Sequence, residues 1–199
     1  GQYPELMYLT AVGHGADQAQ CEADARGAMA KIFKAQVSQV TSQWQGYFSQ
    51  ASSLGASFTA EATNITNFTS VSTDKALDGL GVQVKEHCPE AATVHCLAVL
   101  ERDPAAGNLK SKILQLDGEL RAKINQGDSA ANQTQKFMAY AAAMEKLAER
   151  EALNVDLRIV NARHASQAPI DFQALVAKFT GAQAAVKVGL KITGTESKT

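Results

Sequence analysis

The stretch MYLTAVGHGADQAQCEADARGAMAKIF, Met7 to Phe33, decides how the rest of the chain is read. Met7 to Val12 predicts a strand, Gly13-His14-Gly15 a tight turn, and the alanine-rich remainder a helix. Asp17 with Gln20 three residues on fits a capping box, so the helix is expected to start there. Ala19, Ala23 and Ala30, with Cys21, Ala25 and Ala28, keep one side of it small, and Ile32 and Phe33 supply bulk at its far end. A small face lets a helix lie close on a sheet. The helix is therefore expected to pack against its own preceding strand, with Val12 and Ile32 in the core.

The same Gly-x-Gly begins the dinucleotide-binding fingerprint. The position of the third glycine is Gln18, however, and no acidic residue closes a later strand at the required distance. The glycines read as a tight turn rather than a phosphate site.

With 45% hydrophobic and 20% charged residues and a net charge of −1, the chain has the make-up of an ordinary globular domain. It lacks the basic excess of a nucleic-acid or anionic-membrane binder. No apolar run is long enough to span a bilayer. Its 199 residues suit one domain, and its three cysteines are too few for a disulfide scaffold.

Outward from the opening unit, Val40, Trp44 and Phe48 fall at even spacing within residues 36–49 and predict a long, half-wet strand. Residues 52–80 suggest an irregular amphipathic helix, with a strand as the alternative. A hairpin follows: Leu80 to Cys88, a turn over Pro89 to Ala92, then Thr93 to Glu101. Val82, Val84 and Cys88 share one face, and Val94, Cys96, Ala98 and Leu100 share the matching face of the next strand. Asp103-Pro104 starts a helix whose stripe is Leu109, Ile113, Leu116, Leu120 and Ile124. Asp128 or Ser129 is expected to cap a second helix carrying Phe137, Ala141, Met144 and Ala148. Residues 153–160 fit either a helix or a strand. Arg163 to Pro169 reads as a polar loop, Asp171 as the cap of a short helix through Phe179, and Val186 to Thr193 as a last strand. The expected fold is α+β: a mainly antiparallel sheet of about three to five strands, with helices on one face. Residues 1–184 form the domain, and 185–199 a final strand and tail that could open a second one.

Tyr3-Pro4, Tyr8-Leu9, Val12-Gly13-x-Gly15 and the alanines at every fourth position resemble the start of the Lpp-twenty family of bacterial lipoproteins, and Leu97 to Arg102 resembles its second block. The same region is similar to the amino-terminal domain of flagellar assembly protein T. The resemblance runs from about Tyr3 to Leu157. It implies an outer-membrane or periplasmic protein, with a signal peptide and a lipid-bearing cysteine ahead of Gln2 that this chain lacks. It transfers no catalytic residue.

For chemistry, the densest cluster is His87-Cys88 and His95-Cys96, flanking one turn. Paired imidazoles and thiols invite a zinc reading. Strand alternation opposes it, because each His faces away from its own Cys. A Cys88–Cys96 cross-strand disulfide is permitted but not required, and two unlinked buried thiols are the other reading. An oxidising compartment would favour the bond, with Cys21 left free. His14 and His164 show no partner in sequence. Glu145, Glu149 and Glu151, with Lys146 and Arg150, read as a solvated face with local ion pairs. No Gly-x-Ser-x-Gly elbow is present. The sequence thus predicts no catalytic residue, no cofactor and no metal. The first reading is a non-enzymatic envelope module that binds other envelope proteins or itself, touching the membrane only through a lipid anchor. The alternative, from another class, is a small-ligand or metal-binding protein using Gly13–Gly15 or the His87/Cys88/His95/Cys96 hairpin.

Overall fold

The structure, a computed structural model, describes residues 2–33, 42, 83–90 and 93–186. The chain is α+β. Strand β1 spans Tyr8–Gly15, helix α1 is described over residues 18–33, and strands β2 and β3 span Gln83–Glu90 and Thr93–Glu101. Helices α2 (Arg102–Ser129), α3 (Gln133–Asn161) and α4 (Phe172–Ala184) follow, with a short 3-10 turn, Ala162–His164, after α3. Among the described residues the sheet is antiparallel with order β1-β3-β2.

The opening unit folds as a strand with a closely packed helix, but its glycines do not turn. Gly13 and Gly15 are the last residues of β1, paired with Cys96 and Val94. Asp17 then caps α1, its Oδ1 accepting from Gln20 N at 2.8 Å, while the Gln20 side chain accepts from Ala16 N. Cys21, Ala25, Met29 and Phe33 form the buried face of α1. On β1 the row toward the core is Leu9, Ala11 and Gly13, the first two partly buried and Gly13 fully. Val12 lies on the opposite row and is 52% exposed, contrary to the expectation that it is core. Strand alternation forces this: once Gly13 faces the helix, Val12 cannot.

One core joins that row to Val84 of β2 and to Val94, Cys96, Ala98 and Leu100 of β3. It adds Ala105, Leu109, Ile113 and Leu116 of α2, and Leu153, Leu157 and Val160 of α3. These helices cover one face of the sheet. A second core lies at the far end of the α2–α3 hairpin, where Leu120, Tyr140, Met144 and Leu147 meet Leu175 and Phe179 of α4. At roughly 1.5 Å per residue, two helices of 28 and 29 residues are long enough to serve both cores.

Strand β3 runs into α2 without a loop, so that Pro104 falls in the first turn, where its missing N–H costs nothing. Arg102, the first residue of α2, is a clamp. Its Nε donates to the carbonyls of Glu5 and Tyr8, and its Nη1 donates to those of Ile159 and Val160 at 2.8 Å. It ties the approach to β1 to the end of α3. The cap of α3 is Asn132, whose side chain accepts from Gln135 N, rather than Asp128 or Ser129, which still belong to α2. Asp171 caps α4 as the sequence implies. Residues 153–160 are helical, and Ala152 to Leu157 are buried all round. Of the strand expected over 36–49 only Ser42 is described, and it is helical; Val40, Trp44 and Phe48 also stand four apart, a spacing that suits a helix face equally. The expectations for residues 52–80 and for the last strand lie outside the described residues, apart from Val186.

Candidate functional site

The glycine end of β1 and the start of β3 form the site. Gly13 and Gly15 let α1 settle directly on the strand: a Cβ on Gly13 would stand 2.2 Å from Ala25 N, and one on Gly15 2.4 Å from Cys21 N. That approach carries Cys21 to β3, where it bonds to Cys96 with a Cα–Cα distance of 5.7 Å. Both cysteines are buried. This corrects both readings of Cys96, the permitted bond to Cys88 and the unlinked thiol, and with them the free Cys21. The physical reason is an irregularity in β2 between Val84 and Glu86, which shifts the register by one residue. Val84 pairs with Ala98, but His87 pairs with Cys96 and Cys88 with His95. A slip of this kind changes every pairing beyond it, so the register partner of Cys88 is His95 and not Cys96.

On the other face of the sheet, His14 and His95 are direct cross-strand partners. Their Nδ1 atoms are 2.8 Å apart, and the rings meet edge to face with centroids 4.6 Å apart. Among the described residues β1 is an edge strand, and the backbone N of His14 donates to Asp24 Oδ2 at 3.0 Å rather than to β3. The two histidines are therefore a non-hydrogen-bonded pair, the class in which side chains stand closest. Asp24 also blunts the sheet edge at that point. His14 is exposed and His95 half-buried. The expectation that His14 has no partner fails because its partner lies 81 residues away on a strand that β1 joins only in the fold.

The four residues His87, Cys88, His95 and Cys96 therefore do not form one cluster. Cys96 is taken by the disulfide, and His95 turns to His14. Among the described residues no group of three or more His, Cys, Asp and Glu side chains is placed to hold a metal ion. His164 is exposed in the 3-10 turn. Lys146 does pair with Glu149 and, across the helices, with Glu119 at 2.9 Å. The hydrogen-bonded Lys146 ammonium holds the Glu119 carboxyl below its usual range. Arg150 departs from the solvated face expected of it. It is fully buried, with Nε on Asp117 at 3.0 Å, Nη1 on Glu151 at 2.7 Å and Nη2 on Ser166 at 2.8 Å.

Ser166 N in turn donates to Asn154 Oδ1, so the segment before α4 is fastened to α3. Above this fastening lies an open cleft of about 750 Å³, bordered by Leu147, Glu151, Asn154, Arg158, Ser166 and Phe172. One residue had no signal in the sequence. Asp156, on α3, is buried, its Oδ1 has no hydrogen-bond partner among the described residues, and burial pushes its carboxyl up to about 7. Among the described residues, no helix is long and apolar enough to cross a membrane.

No family model, curated protein or solved structure matches this chain.

Proposed function

We propose that this chain is a non-enzymatic module of the bacterial cell envelope, lipid-anchored at the outer membrane or held in the periplasm, that acts by binding other envelope proteins or a second copy of itself. The observation that carries the reading is the buried Cys21–Cys96 disulfide. Such bonds persist in oxidising compartments and are rare where thiols are kept reduced. The resemblance of Tyr3-Pro4, Tyr8-Leu9 and Val12-Gly13-x-Gly15 to the Lpp-twenty family points to the same place. Exposed Leu6, Met7 and Val12, at and beside the outer row of β1, offer apolar surface to a protein partner.

The test is fractionation of the native full-length protein, followed by mass analysis without reductant. The expected result is outer-membrane or periplasmic protein carrying the Cys21–Cys96 bond and a lipidated cysteine ahead of Gln2. Native protein in the cytosol with all its thiols free overturns the reading.

A further inference from the structure

We propose that His14 and His95 form a binding site for a borderline-soft divalent cation of the zinc type, on the face of the sheet turned away from α1. Three observations support it. The two Nδ1 atoms already point at each other, 2.8 Å apart. A tetrahedral zinc ion with Zn–N bonds of roughly 2.0–2.1 Å separates two ligand nitrogens by about 3.3 Å, so a small swing of either ring opens the gap the ion needs. Second, the pair is fixed from behind. Gly13 and Gly15 lock β1 to α1, Asp24 holds the His14 backbone, and the disulfide under the adjoining row pins β3 to α1. Preorganisation of this kind lowers the cost of ordering two ligands on binding. Third, His14 is exposed, which leaves the remaining coordination positions open to water. Imidazole nitrogen selects zinc-type ions over magnesium or calcium.

Binding changes one tautomer. In the ion-free pair one Nδ1 carries the hydrogen and the other accepts it. When the ion enters, the first ring gives up its Nδ1 hydrogen to solvent and takes one back on Nε2, so that both Nδ1 lone pairs face the ion, each ring carries its hydrogen on Nε2, and no net proton is released. The site lies outside the envelope reading: either can fail without the other.

The experiment is calorimetric titration of the disulfide-intact full chain with Zn2+, with a Zn2+-dependent melting shift as the second readout. One ion per chain is expected. His14→Ala and His95→Ala should each weaken binding at least tenfold, and the double variant should abolish it. His164→Ala should leave binding unchanged. His14→Gln, which keeps a polar side chain at the exposed position, serves if the alanine variant does not fold. Absence of a saturable zinc site in the wild-type chain, or a double variant that binds as tightly as wild type, overturns the proposal.

Discussion

Gly13 lies beneath Ala25, so close that a single added carbon would overlap the helix backbone at 2.2 Å. The neighbouring contact of Gly15 with Cys21 is almost as tight, and both obstacles are backbone that no rotamer change can clear. Gly13→Ala and Gly15→Ala should each destabilise the protein by about 1–3 kcal/mol, the usual range for overpacking. Gly118, on the exposed side of α2 with nothing within 4 Å of an added methyl, is the control. Gly118→Ala should raise stability by roughly 0.5–1 kcal/mol. Urea midpoints decide, and equal midpoints for Gly13→Ala and wild type would remove the close approach.

Cys21 and Cys96 are separated by 75 residues, a loop long enough for cross-linking to restrict the unfolded chain by roughly 4 kcal/mol in the entropic account. Cys21→Ala with Cys96→Ala should therefore cost about 2–4 kcal/mol. Alkylation of denatured, unreduced protein should label Cys88 alone of the three cysteines. A peptide map joining Cys88 to Cys96 would restore the pairing suggested by sequence.

Asp156 makes stability fall as pH rises. Its carboxyl titrates at 3.8 in the unfolded chain and at about 7 when folded, because burial disfavours its charge. The folded state thus binds the extra proton between those values, and its disadvantage is complete only above the higher one. Asp156→Asn should raise stability by about 2 kcal/mol near pH 8, change little near pH 4, and flatten the profile between. Parallel pH profiles for variant and wild type would refute this.

Arg150 is a buried cation held by Asp117, Glu151 and Ser166. Removing it deprives the carboxylates of Asp117 and Glu151 of this counter-charge, and Asp117 is only 14% exposed. Arg150→Ala should cost about 3–5 kcal/mol, and Arg150→Lys should recover only part of it, since an ammonium cannot span three partners in a planar fork. Thermal melts of the pair measure it. A melt of Arg150→Ala equal to wild type would count against a structural role.

The helical stripe from Leu109 to Leu120 was legible because one side of α2 faces the core and the other water, which writes the helix period into the sequence. The same rule explains where legibility ends. Residues 152–157 of α3 are buried on every side, so no period survives and helix and strand readings tie. The caps of α1 and α4, Asp17 and Asp171, were readable because a cap needs only its own neighbours. The candidate site needed more. His14 and His95 meet only because β3 enters the sheet between β1 and β2, and Cys88 misses Cys96 because of one irregular step in β2. A pattern of alternation carries no mark of such a slip. The nearest signal was the small face of α1, which holds Cys21 beside Ala25 and faces whatever strand adjoins β1.

The bond between Cys21 and Cys96 also changes what a protease can do to this molecule. Backbone from residue 22 to residue 95 belongs to a covalent ring. One cut anywhere in that ring releases no fragment. The nicked chain should migrate as a single full-mass species without reductant and as two pieces with it, so freeing a fragment from within the ring requires either a second cut or an electron donor.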